Sequence, residues 1–258
     1  MGTRFRIGTA GWSIPREVAD AVPGEGTHLQ RYARHLLAAE INSSFHRPHR
    51  PATYARWAAG VPPHFRFSVK LPKTITHQHK LVGSGDLLDR FADEVAGLGS
   101  SRGPTLVQLP PSLAFEPAAA AAFFTELAGR LGPAIVCEPR HPSWFEEAAE
   151  QLLRDHGVAR VAADPAVHPR AAEPGGWAGL AYFRLHGSPV IYRSSYVGAA
   201  IARLHDAMTP AAINAAECWA IFDNTASGAA LPNALQLIES FRTDKDRSTA
   251  WGATIWDR

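Results

Sequence analysis

Eight short runs with strand character recur along the chain, and most are followed by a segment with helix character. The strand candidates are FRIGTA (5–10), LLAAEIN (36–42), FRFSVK (65–70), TLVQL (105–109), AIVCE (134–138), ARVAAD (159–164), AYFRLH (181–186) and WAIFDN (219–224). Helices are expected over 27–37, 51–59, 86–98, 117–131, 143–156, 198–208 and 232–242. Boundary signals support them: Ser84-Gly85-Asp86 leads into LLDRFADEVAGLG, and Glu116-Pro117 opens a run that Gly132 ends. Strands that alternate with helices imply βα units and a parallel sheet. Eight of them in 258 residues match a (β/α)8 barrel of the TIM type. A doubly wound open sheet is the runner-up, weakened because no strand is followed by a dinucleotide glycine fingerprint. The sixth βα unit is irregular, since 165–179 is rich in Pro, Gly and Ala and offers no helix. The chain reads as a single domain over 1–258, with a core of about 4–242 and a polar tail at 243–258. That tail, which carries Trp251 and Trp256, is expected to strap the barrel bottom or to meet a partner.

Fully buried parallel strands usually read as unbroken apolar runs. Several of these do not. In the second strand Ala38, Glu40 and Asn42 share one face; in the third, Arg66, Ser68 and Lys70; in the seventh, Tyr182, Arg184 and His186. The other face of each is apolar and suited to packing under helices. This places a polar lining inside a barrel, toward the C-terminal mouth where barrel enzymes hold their chemistry. The strand ends supply Glu40, Asn42, Lys70, Gln108, Glu138 with Arg140 and His141, Asp164, Arg184, His186, and Asp223 with Asn224. Each such group costs several kcal/mol, roughly, if buried without a partner. They must satisfy one another or a ligand.

The stretches GTAGWS (8–13), EINSSFHR (40–47), FSVKLPKTITH (67–77), QLPPS (108–112), EPRHPSWF (138–145), YFRLHG (182–187) and FDNTASGAALPNA (222–234) together resemble the YecE-like family, a domain of unknown function (domain 72). They run through nearly the whole chain in the family's order. The resemblance implies a TIM barrel and a shared polar pocket, and it brings no established reaction. The chain departs from the family's pattern in two places. Phe222-Asp223-Asn224-Thr225 stands where the family usually has Phe-Asn-Asn-Asp, and His46 stands where Tyr is common.

Two chemistries compete for this constellation. Glu40, Glu138, Asp164, His141 and His186 offer oxygen and nitrogen donors to a divalent metal. Lys70, Arg140 and Arg184 oppose that, because like charges about 4 Å apart repel by about 4 kcal/mol at an effective dielectric near ~20. No metal and no other cofactor is therefore assigned. The favoured reading is hydrolase-like acid/base chemistry on a small polar or anionic ligand, such as a sugar or phosphorylated metabolite. Glu40 and Glu138 are the candidate acid and base, and His186 relays protons. Lys70 keeps a carboxylate ionised or holds an anionic group. Asn42, Gln108, Arg140, His141, Arg184 and Asn224 bind the ligand, and Trp12 and Tyr196 present aromatic faces. Glu138→Gln is expected to abolish turnover and leave the thermal midpoint within a few degrees. A purely structural Glu138–Arg140 pair is the plainer alternative.

A nucleic-acid enzyme in the manner of barrel endonucleases, metal-dependent or not, is suggested by FHRPHRPATYARW (45–57) with Lys73, His77, His79 and Lys80. The net charge of +2 gives it little support. A non-catalytic metabolite binder is the third possibility. Cys137 and Cys218 sit in apolar stretches and read as free buried thiols, which suits a reducing cytosol. The start MGTRFRIGTAGW has no signal-peptide core, and no apolar run approaches a membrane span. A soluble, cytoplasmic protein without a membrane partner is expected.

Overall fold

The computed structural model describes residues 4–247, with side chains through 243. Ten strands form one nearly closed, barrel-like sheet: β1 (Arg4–Ala10), β2 (Ala38–Ile41), β3 (Arg66–Lys70), β4 (Arg102–Gln108), β5 (Ile135–Glu138), β6 (Val158–Arg160), β7 (Ala162–Asp164), β8 (Gly175–Gly176), β9 (Leu180–Leu185) and β10 (Glu217–Phe222). Their order is β7-β9-β10-β1-β2-β3-β4-β5-β6-β8, and every pairing but the antiparallel β6–β8 is parallel. Helices α1 (His28–Tyr32), α2 (Pro51–Ala59), α3 (Gly85–Val95), α4 (Pro117–Leu131), α5 (Glu147–Asp155), α6 (Gly198–Ala211) and α7 (Ala230–Arg247) lie between strands or follow the last. A mixed α/β fold of this kind has two apolar layers. Outward strand residues such as Ile7, Ile41, Phe67 and Phe222 join the helices in the larger one. Ala38, Leu106, Val136, Val161, Tyr182, Trp219 and Ile221 fill the lumen.

The sixth strand differs from its expected continuous form. It is broken at Val161 into β6, which pairs with β5, and β7, which pairs with β9. The break lets one short segment serve two neighbours and brings the sheet's two flanks together. Residues 165–179 carry no α-helix; a 3-10 turn at Pro169–Ala172 and the two-residue β8 stand there. They are held by a buried Arg160–Glu150 pair. Arg160 also donates to the carbonyls of Arg170 (2.6 Å) and Glu173 (3.1 Å), and Glu150 accepts from the Gly176 amide (2.7 Å).

Several helix boundaries also shift. The helix expected over 27–37 spans only α1, opened by a capping box between Thr27 and Gln30. The one expected over 143–156 is a 3-10 turn, Pro142–Phe145, followed by α5. The helix expected to end at 242 runs on to Arg247, so it takes in the first residues assigned to the tail. Trp251 and Trp256 lie outside the described residues. Among the described residues no helix is long and apolar enough to cross a membrane.

Candidate functional site

The lumen changes character from its floor to its mouth. At the floor Arg6 is buried, pairs with Glu217 (2.8 Å), donates to the His64 carbonyl (2.7 Å) and lies over the Trp219 ring. Gly103 makes room for that indole, since a Cβ there would come within 2.8 Å of it. Tyr182 stacks on Trp219 with ring centroids 5.9 Å apart. Its hydroxyl meets Ser68 (2.8 Å) and donates to Glu40 (3.0 Å), where the polar layer begins.

Arg184 is the hub of that layer and has no solvent exposure. Its guanidinium donates to both oxygens of Glu40 (2.8–3.2 Å) and to Glu138 (3.0 Å), and it contacts Asp223 at 2.9 Å. One planar fork therefore ties β2, β5 and the end of β10 to β9. Glu138 Oε1 also accepts from Arg140 (2.7 Å) and from Gln108 (3.1 Å), which is level with it in the β4–β5 register. His186 lies between two carboxylates, with Nε2 3.0 Å from Glu138 and Nδ1 3.0 Å from Asp223.

This geometry sets the protonation states. Burial would raise the pKa of Glu138, but Arg184, His186 and Arg140 outweigh it and hold the carboxyl well below the usual range. Asp223 is likewise lowered against burial by Arg184 and His186. Burial would lower His186, but Glu138 and Asp223 hold it above its ordinary value. The layer thus sets carboxylates around a guanidinium and an imidazole whose pKa those carboxylates raise, while its Nε2 also lies 3.2 Å from Arg140.

Lys70 ends β3 beside this layer with 6% of its surface exposed. Its Nζ lies 4.1 Å from the Phe45 ring centroid and has no hydrogen-bond or ion-pair partner among the described residues. Burial first, then Arg184, lowers its pKa to about 8, although Glu40, Glu138 and Asp223 oppose this. His77 stacks edge-on to Phe45 and is pushed down by burial, Lys70 and Arg140. Arg140, 23% exposed at its side chain, connects the layer to solvent.

The remaining expected residues divide. Asn42 and Asn224 follow β2 and β10, and the Oδ1 of each is buried without a partner. The Asn224 amide donates to the Ser194 carbonyl and to Asn233. Three other expected residues are engaged outside the layer. His141 caps the 3-10 turn, with Nδ1 accepting from the Ser143 amide. Trp12 packs edge-on against Trp57 and Phe67 in the helical layer. Tyr196 donates to Asp164 (2.6 Å) and accepts from the Gly187 amide (2.9 Å), so it ties the end of β7 to the loop after β9. Asp223, Tyr182 and Ser68, expected on the polar lining but without an assigned role, are members of the layer, and His77 flanks it beside Phe45. Alternation finds Tyr182 and Ser68, each two residues before a polar neighbour on the same face. The family's pattern, with Asn at the place of Asp223, points to no carboxylate there. Tyr192, exposed and in the left-handed region, places its ring edge-on to His186. Among the described residues no three His, Cys, Asp or Glu side chains are placed to hold a metal ion. Arginine donors occupy the carboxylates such a site would need.

Comparison with known proteins agrees with this architecture. The chain is 32% identical over 166 residues to the UPF0759 protein YecE of Escherichia coli K12, a match that spans 61% of this chain and 58% of that protein. The O157:H7 counterpart is 31% identical over 155 residues, with 59% and 54% covered. A crystal structure of a DUF72 family protein from Enterococcus faecalis superposes with a TM-score of 0.76 at 22% identity, covering 92% of this chain and 95% of that one. One from Thermotoga maritima gives 0.75 at 22% identity, covering 93% and 99%. These two speak for the fold alone. The model of the family described as "Protein of unknown function DUF72" matches residues 6–254, and the chain belongs to that family.

Proposed function

We propose that the polar layer is the ligand site of an enzyme that performs proton-transfer chemistry, hydrolysis included, on a small hydroxylated anion. If β6 and β7 are counted as one interrupted strand and β8 is set aside, the sheet has the eight parallel strands of a (β/α)8 barrel. In such barrels the C-terminal strand ends hold the chemistry, and the layer lies at those ends. The observation that carries the proposal is Lys70, a nearly buried ammonium left without an acceptor while every other charge of the layer is paired. An anionic group would complete it, with Arg140 as the second cation. The orphan oxygens of Asn42 and Asn224 call for donors, which hydroxyl groups supply. Lys70 exchanges the proton, and the Arg184 network fixes the groups around it.

Calorimetric titration with glycerol 3-phosphate tests this. Saturable binding is expected, weakened about 10–100-fold by Arg140→Met, the loss of one charge-assisted contact. Arg6→Met, at the opposite end of the lumen, should leave the affinity unchanged. Absence of binding to the wild type, or equal loss in both variants, would sink the proposal.

A further inference from the structure

Lysine is scarce in this chain. Lys70, Lys73, Lys80 and Lys245 are the four lysines among 26 lysine and arginine residues. Arginine serves nearly everywhere else, including the hub of the buried layer. The two side chains differ in one chemical respect: an amine can lose its proton and become a nucleophile, whereas a guanidinium cannot. Among the described residues, a lysine stands at the one interior cationic position that faces the mouth without an acceptor.

The surroundings of Nζ suit a nucleophile better than a salt bridge. Within the layer the carboxylates of Glu40, Glu138 and Asp223 are engaged by Arg184, Arg140 and His186. Among the described residues, Lys70 is the cation of the layer that no carboxylate approaches to ion-pair distance. The groups that act on it are Arg184, Glu40, Glu138 and Asp223 from the barrel wall, with His77 nearby on the loop after β3. The face of Phe45, 4.1 Å away, holds the ammonium by a cation–π contact, which places Nζ without a hydrogen bond that would tie up its lone pair once the proton is lost.

We infer that Lys70 is a covalent site, whose amine condenses with the carbonyl carbon of a small, hydroxylated, anionic aldehyde or ketone to form an imine. This rests on the anion-site proposal above and narrows its substrate class to carbonyl compounds. The Nζ lone pair forms the C–N bond, and the carbonyl π pair moves to oxygen. That oxygen leaves as water with the two protons of the neutral amine. Arg140 meets the anionic group, and Asn42 and Asn224 take the hydroxyls. The imine is an electron sink, so bond cleavage or isomerisation next to the former carbonyl is the chemistry it opens.

Trapping with dihydroxyacetone phosphate and cyanoborohydride, followed by intact and peptide mass spectrometry, tests the inference. One adduct is expected, heavier by the ketone phosphate less its carbonyl oxygen and confined to the peptide with Lys70. Its rate should rise with pH through about 8, where Lys70 loses its proton, and Lys70→Arg should abolish it. No adduct, or labelling spread equally over Lys73, Lys80 and Lys245, overturns the inference. Glycerol 3-phosphate has the same charge and no carbonyl, so it separates the two ideas. Binding of glycerol 3-phosphate without trapping leaves the anion site standing and removes the imine. Trapping at Lys70 without glycerol 3-phosphate binding removes the anion site and, with it, the inference that rests on it.

Discussion

Glu138 receives Arg184, Arg140, Gln108 and His186 on two oxygens, at 2.7–3.1 Å, in a fully buried position. An amide there turns one oxygen into a donor facing donors. Glu138→Gln should therefore lower unfolding free energy by about 3–5 kcal/mol, the range for breaking a buried charge network. This replaces the near-neutral effect that the sequence suggested, because a place at a strand end locates the carboxylate but says nothing of how many partners it has. An unchanged denaturation midpoint would show that the network is not formed. Lys70 predicts the opposite sign. Its folded pKa, about 8, lies below the ordinary 10.5, so its charge costs stability below pH 8 and the cost is relieved as pH rises toward 10.5. Lys70→Met should raise the thermal midpoint at pH 7 and flatten that alkaline gain. His186 acts in the other direction: its raised pKa contributes stability that is complete below about 6.5 and fades as pH rises through the raised value. At this scale Glu40, Lys70, Arg184 and His186 were legible through period-two alternation, and Gln108 and Glu138 as polar residues at strand ends. The sequence did not separate His141, Trp12 and Tyr196, since a residue after a strand end can turn toward the lumen, a cap or the helices.

At the scale of elements, alternation of strand and helix was legible because each βα unit carries its own local signals, such as Pro117 opening α4 and Gly132 ending it. The sixth unit was not, because its form depends on partners far apart in sequence. ARVAAD has strand character throughout, yet β6 answers to β5 and β7 to β9. The segment after it is held by the Arg160–Glu150 pair rather than by propensity. Glu150→Gln leaves Arg160 buried with a weaker partner and removes the charge that accepts the Gly176 amide. Amide hydrogen exchange should then accelerate by at least ~10-fold over 169–176 before it does so in β9 or β10, given that a hydrogen bond to a charged group is worth about 1.5–3 kcal/mol. Uniform acceleration across the sheet would show that this segment has no local stability of its own.

The whole molecule has a polarity along the lumen, from the Arg6–Glu217 floor through Trp219 and Tyr182 to the charged layer at the mouth. The charged layer is also the most non-local part of the chain. Arg184 reaches Glu40 across 144 residues and Glu138 across 46, while Asp223 lies beyond it on a further strand. None of those contacts exists until β2, β5, β9 and β10 are in place around the lumen. They have to be lost, however, before those strands part. This gives the network a role in time. It is expected to be absent from the folding transition state and to act as a latch on the folded one. Arg184→Lys keeps the charge and breaks the fork, so it should speed unfolding by about 10–100-fold and leave the folding rate within about twofold. Equal changes in both rates, in a chevron analysis, would place the layer in the nucleus instead. A charged lumen of this kind sets how long the barrel stays closed rather than how fast it closes.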